Sequence, residues 1–199
     1  ENDLEEMNRT ALRIAKDVAD RHDCLMAGNI CNTNAWEADD GGKQKAVRAM
    51  FEEQIGWAVE EGADFLIAET LDWAGEAEAA LEIMKETGLP TVVTLSAHRD
   101  DVLFDGVSIV DACRRLEQQG TDVVGLNCQR GPDTLMPLLR EIRAAVSCHV
   151  AALPVPYRTT ETEPTFQSLT DRSCGCLPGD MAFPTALDPF TCNRYECGE

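Results

Sequence analysis

The chemistry-bearing residues of this sequence stand directly after apolar runs. Val123-Val124-Gly125-Leu126 leads into Asn127 and Cys128, and Asp64-Phe65-Leu66-Ile67-Ala68 leads into Glu69 and Thr70. An apolar run of this length fits a strand buried on both faces, as in a parallel sheet. Such strands carry their working residues at their C-terminal ends, where loops lead to the next helix. A thiol placed there is a nucleophile, a redox group or a metal ligand, and the run alone leaves these open beside the plainer role of a small buried residue. A carboxylate that ends a buried strand loses solvation and needs a cation or donors nearby. A substrate ammonium is the functional partner for Glu69, and a salt bridge to a neighbouring loop is the structural one.

Other strand ends are polar too: Asn29 and Cys31, then Ser96 and His98. A nucleophilic Cys128 needs a base, and His98 is the histidine placed at a strand end. His22 and His149 fall near the N-terminal ends of strands, away from the chemistry. Cys174-Gly175-Cys176 has two thiols without the usual metal-site spacing, and Cys192 and Cys197 read as bystanders.

The elements that position these residues alternate. Leu4, Met7, Ala11, Ile14, Ala15 and Val18 repeat at helical spacing. Residues 23–30 read as a strand and 31–42 as a polar loop holding Trp36. Val47, Met50, Phe51, Ile55, Ala58 and Val59 mark a helix that Gly62 closes. The strand over 64–69 follows, then a helix through Ala77, Ala80, Leu81 and Met84. A strand spans 91–96, and a helix through Ile109, Ala112, Cys113 and Leu116 stops at Gly120. The strand ending in Cys128, a helix through Leu135, Leu138, Leu139 and Ile142, and a strand over 150–153 complete the series. This alternation predicts an α/β fold with a parallel sheet. Strand starts roughly 25 to 40 residues apart suit the units of a (β/α)8 barrel. No glycine-rich dinucleotide loop follows any strand, which counts against an open doubly wound sheet. Five strands cannot close an eight-stranded barrel, so the sequence reads as one barrel domain over 1–199, incomplete at both ends. Its alternation stops in a long loop over 158–182.

The 199 residues are enough for one core. Acidic residues outnumber basic ones 36 to 17, a net charge of -19 that argues against nucleic acid or an anionic membrane as partner. The nine cysteines are irregularly spaced, several inside apolar runs, which reads as reduced thiols in a cytoplasm. No signal peptide or membrane-length apolar stretch is present.

Ala27-Gly28-Asn29-Ile30, the residues 64–69, Val124-Gly125-Leu126-Asn127-Cys128 and Phe183-Pro184-Thr185-Ala186-Leu187-Asp188-Pro189, in this order over nearly the whole chain, resemble the homocysteine S-methyltransferase family, near its betaine-using branch. The resemblance implies a (β/α)8 barrel, of which strands three to seven lie here. It also implies a zinc ion held by three cysteines. Cys128 matches the one that ends the sixth strand, and a Cys-Cys pair is expected beyond Glu199. An acidic residue from the first strand is expected before Glu1. Glu69 matches the glutamate that holds the homocysteine amino group, with Thr70 and Asn127 completing the substrate site. Zinc turns a thiol into thiolate, the nucleophilic form, which then takes a methyl group from a charged donor such as betaine or S-methylmethionine. Betaine-using relatives carry an aromatic residue directly after the strand-end glutamate, where this chain has Thr70. Trp36 and Trp73 are the loop aromatics that can stand in for it. A homo-oligomer is compatible with this reading. The competing readings are a zinc-free barrel enzyme of lyase or aldolase type and a truncated, inactive piece. The first lacks a strand-end lysine for a Schiff base.

Overall fold

A computed structural model describes residues 3–98 and 100–156, with Thr159, Glu161, Thr162 and Thr165. The long loop over 158–182 lies almost wholly outside these residues, and the cysteines from Cys174 onward and the Phe183–Pro189 stretch lie entirely outside them.

The elements run α1 (Leu4–His22), β1 (Ala27–Cys31), α2 (Gly41–Glu60), β2 (Phe65–Leu71), α3 (Ala74–Glu86), β3 (Thr91–Leu95), α4 (Ile109–Gln118), β4 (Val123–Asn127), α5 (Pro132–Ala145) and β5 (His149–Leu153). Local chemistry sets many of the boundaries. Asp40 caps α2 by accepting from the N–H groups of Gly42 and Lys43, Ser108 caps α4 through Asp111, and Pro132 opens α5. Gly62 follows α2 at φ 84°, a conformation glycine adopts freely. The first strand begins at Ala27, four residues later than its apolar run predicts. Asp23 closes α1 at φ 52°, and the Cys24 N–H is still bonded to Ala19.

The strands form one parallel sheet in the order β1-β2-β3-β4-β5. Side chains alternate between its faces. Leu66, Ala68, Val93, Leu95, Val124 and Leu126 are all fully buried, packed in one cluster with Phe51, Leu81, Met84, Ile109, Leu116, Leu135 and Ile142 of the helices. The alternate residues Phe65, Ile67, Val92 and Val123 are only half-buried. The helices therefore cover one face, in chain order and without reversal. That is the arrangement of consecutive barrel units, and it differs from a doubly wound sheet, which has helices on both faces. The second face corresponds to a barrel interior. It carries Asn29, Glu69, Thr94 and Asn127 toward the C-terminal ends of the strands.

The flanks differ from this centre. In α1 the apolar residues noted above face outward, with Met7 69% and Ile14 61% exposed. The polar side packs on α2 instead, where Arg9 reaches Glu60 and Glu61, and Arg13 reaches Glu61. Hydrophobic spacing identified the helix correctly, yet among the described residues its apolar face has no cover. At the other flank, Ala152 and Leu153 of β5 are exposed.

Candidate active site at the strand ends

The site is built on an irregularity in β2. The strand pairs with β3 in the register Ala68↔Val93 and then Leu71↔Leu95, so β2 spends one extra residue. This is a β-bulge, and Thr70 occupies it at φ 62°, unusual for a β-branched residue. Sequence periodicity ends the strand at Glu69; the bulge carries it two residues further. Regular alternation would turn Thr70 toward the helices. The extra residue instead keeps Glu69 and Thr70 together on the inner face and returns Leu71 to the core, where it is fully buried.

Asn127 holds this bulge from β4, reaching past β3. Its Oδ1 accepts from the Thr70 N–H at 2.8 Å and from Thr94 Oγ1 at 2.9 Å, and its Nδ2 donates to Thr70 Oγ1 at 2.6 Å. Asn32 Nδ2 donates to the Thr70 carbonyl at 2.7 Å. Glu69, half-buried, accepts from Asn29 Nδ2. Cys128 directly follows Asn127 and is half-buried at φ 60°, with Gln129 at φ 53° behind it. The Cys128 N–H donates to the Leu153 carbonyl at 3.0 Å, and its own carbonyl accepts from the Arg130 N–H at 2.6 Å. The dipeptides Glu69-Thr70 and Asn127-Cys128 thus stand side by side, joined through one buried amide.

Arg130, buried and not singled out by its sequence context, fixes the next loop. Its Nε donates to the carbonyls of Ala97 and His98, one terminal nitrogen to those of His98 and Asp100, and the other pairs with Asp101 at 2.8 Å. His98 does not form the pair with Cys128 that sequence position offered. Its Nε2 lies 2.8 Å from Asp72 Oδ1, and its ring stacks on Phe104 with centroids 4.9 Å apart. Trp73 meets Phe104 edge-on at 5.7 Å. Trp36 is buried against Gly75, where a Cβ would come within 2.8 Å of its ring. Two carboxylates absent from the sequence reading brace the loops around it. Glu76, 2% exposed, accepts from the N–H and hydroxyl of Thr33, and Asp105 accepts from the Gly75 N–H. Cys31 pairs in register with Glu69, and its thiol is pushed above the ordinary value by burial first and then by Glu69 and Glu76. A raised value disfavours the thiolate, the nucleophilic form.

Zinc takes three or four protein ligands. Among the described residues no three of His, Cys, Asp and Glu converge to hold a metal. Cys128, a half-buried thiol directly after the strand-end Asn127, has the donor type that a thiolate-rich zinc site uses. Among the described residues no helix is long and apolar enough to cross a membrane.

A parallel sheet with helices on one face, and polar side chains gathered at its C-terminal edge, is the arrangement of consecutive units of a (β/α) barrel. Solved structures agree on the fold. The homocysteine methyltransferase MmuM of Escherichia coli, in its oxidized form, matches with TM-score 0.62 and 18% identity, over 79% of this chain and 58% of that one. Its metallated form matches with TM-score 0.57 and 18% identity, over 79% and 68%. In sequence, betaine–homocysteine S-methyltransferase 1 of Danio rerio is 31% identical over 96% of this chain and 46% of its own length. The S-methylmethionine–homocysteine S-methyltransferase of Pongo abelii is 28% identical over 81% and 45%. The profile of the homocysteine S-methyltransferase family matches residues 1–173, and the chain belongs to that family. It spans about half the length of these curated relatives.

Proposed function

We propose that the protein transfers a methyl group from a positively charged donor to the sulfur of homocysteine, giving methionine. The observation that carries this reading is the junction of Glu69-Thr70 with Asn127-Cys128 in a chain of this family. In the reaction the homocysteine thiol gives up its proton, the S–CH3 bond forms as the donor's N–CH3 or S–CH3 bond breaks, and the donor leaves neutral. Zinc, when bound, supplies the Lewis acidity that keeps the substrate sulfur as thiolate, with Cys128 as one of its ligands.

The chain's other residues orient. Glu69 pairs with the substrate ammonium, a contact that half-burial strengthens relative to open water. Asn29 steadies that carboxylate, and Thr70, held by Asn127, borders the substrate site beside it. Orientation of this kind reduces the entropy lost on reaching the transition state. Betaine and S-methylmethionine are the donors named for the two relatives above. Thr70 in place of an aromatic residue favours a donor other than betaine. The setting is the cytoplasm, where thiols stay reduced.

The test is methyl transfer to homocysteine by the intact protein, with each donor in turn. Cys128→Ala should remove both bound zinc and turnover, and Glu69→Gln should weaken homocysteine binding while zinc stays. Zinc and turnover both retained in Cys128→Ala would overturn the reading.

A further inference from the structure

The amide of Asn127 is almost fully spent on the protein. Its oxygen accepts two hydrogen bonds and its nitrogen donates one, which leaves a single N–H for anything else. Two of those three bonds end on Thr70, the residue that sits least comfortably in its own backbone conformation. With Asn32 on its carbonyl, every polar group of Thr70 is held: N–H, Oγ1 and O. Both ends of the arrangement matter for the site. Thr70 adjoins Glu69, and Asn127 adjoins Cys128.

We propose that Asn127 is a positioning residue that sets the Glu69 carboxylate by holding Thr70 in the left-handed bulge, and that it does not act by touching the substrate. The proposal rests on the homocysteine reading above. Without the Asn127 bonds, a β-branched residue relaxes toward negative φ. The bulge then shifts, and Glu69 leaves the inner face or loses Asn29. A glycine at position 70 needs no such hold, because it adopts positive φ at no steric cost.

This asymmetry supplies the test, homocysteine binding by the intact protein measured by calorimetry. Asn127→Ala should weaken binding about tenfold or more, since small misplacements of an orienting group have effects of that size. Adding Thr70→Gly to Asn127→Ala should restore most of the loss. A double variant that binds no better than Asn127→Ala would overturn the proposal, as would an Asn127→Ala variant that binds like the parent. Should Asn127→Ala fail to fold, Thr70→Gly and Thr70→Val are compared with Asn127 in place. The glycine variant should bind more tightly, and equal or weaker binding overturns the proposal. The homocysteine reading fails separately, if parent and Glu69→Gln bind the amino acid alike. In that event the structure of Asn127→Ala decides: displacement of Glu69 from Asn29 supports positioning, and an unmoved Glu69 overturns it.

Discussion

The centre of the sheet and its flanks follow the same sequence rules and reach different ends. In β2, β3 and β4 the helix-facing side chains are fully buried, and the inner face gathers Glu69, Thr70, Thr94 and Asn127. At the flanks, the apolar stripe of α1 faces outward while arginines on its other side engage α2, and β5 keeps Leu153 45% exposed. The difference teaches that apolar periodicity marks which side of an element is meant to be covered, while the covering partner is a separate fact. The site lies in the covered centre, with Cys128 bonded to β5 at its border with the exposed flank.

The largest effect should come from the centre. Leu126→Ala deletes a fully buried side chain and should cost roughly 2–5 kcal/mol in urea unfolding. Met7→Ala, on the outward side of α1, should stay within about 0.5 kcal/mol. Comparable losses at both would erase the distinction between the two regions.

Gly125 tests the seam between them. A Cβ there would come within 2.2 Å of the Ala151 carbonyl oxygen on β5. Gly125→Ala should destabilise by about 1–3 kcal/mol, with amide exchange rising along β5 before β2.

Among the described residues, the apolar side of α1 is uncovered and the outer edges of β1 and β5 are unpaired, features that promote association. The 199-residue chain by itself should self-associate in sedimentation, and Ile14→Glu should shift it toward monomer without lowering its melting temperature. A monomeric, cooperatively melting sample of the unmodified chain would contradict this.

The smallest effect belongs to the α1–α2 contact. The hydrogen-bonded guanidinium of Arg13 holds the Glu61 carboxyl below its ordinary value; desolvation opposes it, and Arg9 adds to the lowering. A carboxyl with a lowered folded-state value stabilises above the ordinary carboxylate range, and that contribution is lost as pH falls through the lowered value. The protection of α1 amides, their exchange relative to the intrinsic rate at each pH, should therefore fall on acidification below about 4, the ordinary carboxylate range. Arg13→Ala should remove this acid response, and salt should weaken it.

The order and type of the elements, and the strand-end placement of Glu69, Asn127 and Cys128, were legible because each depends on a few neighbouring residues. What escaped depends on register between distant strands. Thr70 continues its strand as a plain β-former until pairing with β3 shows one residue too many. Asn127 reads as the polar end of an apolar run; that its amide belongs to Thr70 and Thr94 needs both other strands in place. Arg130 resembles any loop arginine until the carbonyls of residues 97, 98 and 100 surround it. His98 sits where a base for Cys128 was wanted, and only the loop's path gives it to Asp72. The outward face of α1 is a further case, since spacing cannot say which neighbour is present.

The central question is whether Glu69 reads the amino group of the substrate. The decisive measurement compares the binding of homocysteine with that of 4-mercaptobutyrate, which lacks the ammonium, in the intact parent protein and in Glu69→Gln. The parent should prefer homocysteine by about tenfold or more, the scale of one charge-assisted contact, and Glu69→Gln should lose most of that preference. A preference that survives the substitution unchanged would contradict the site described here.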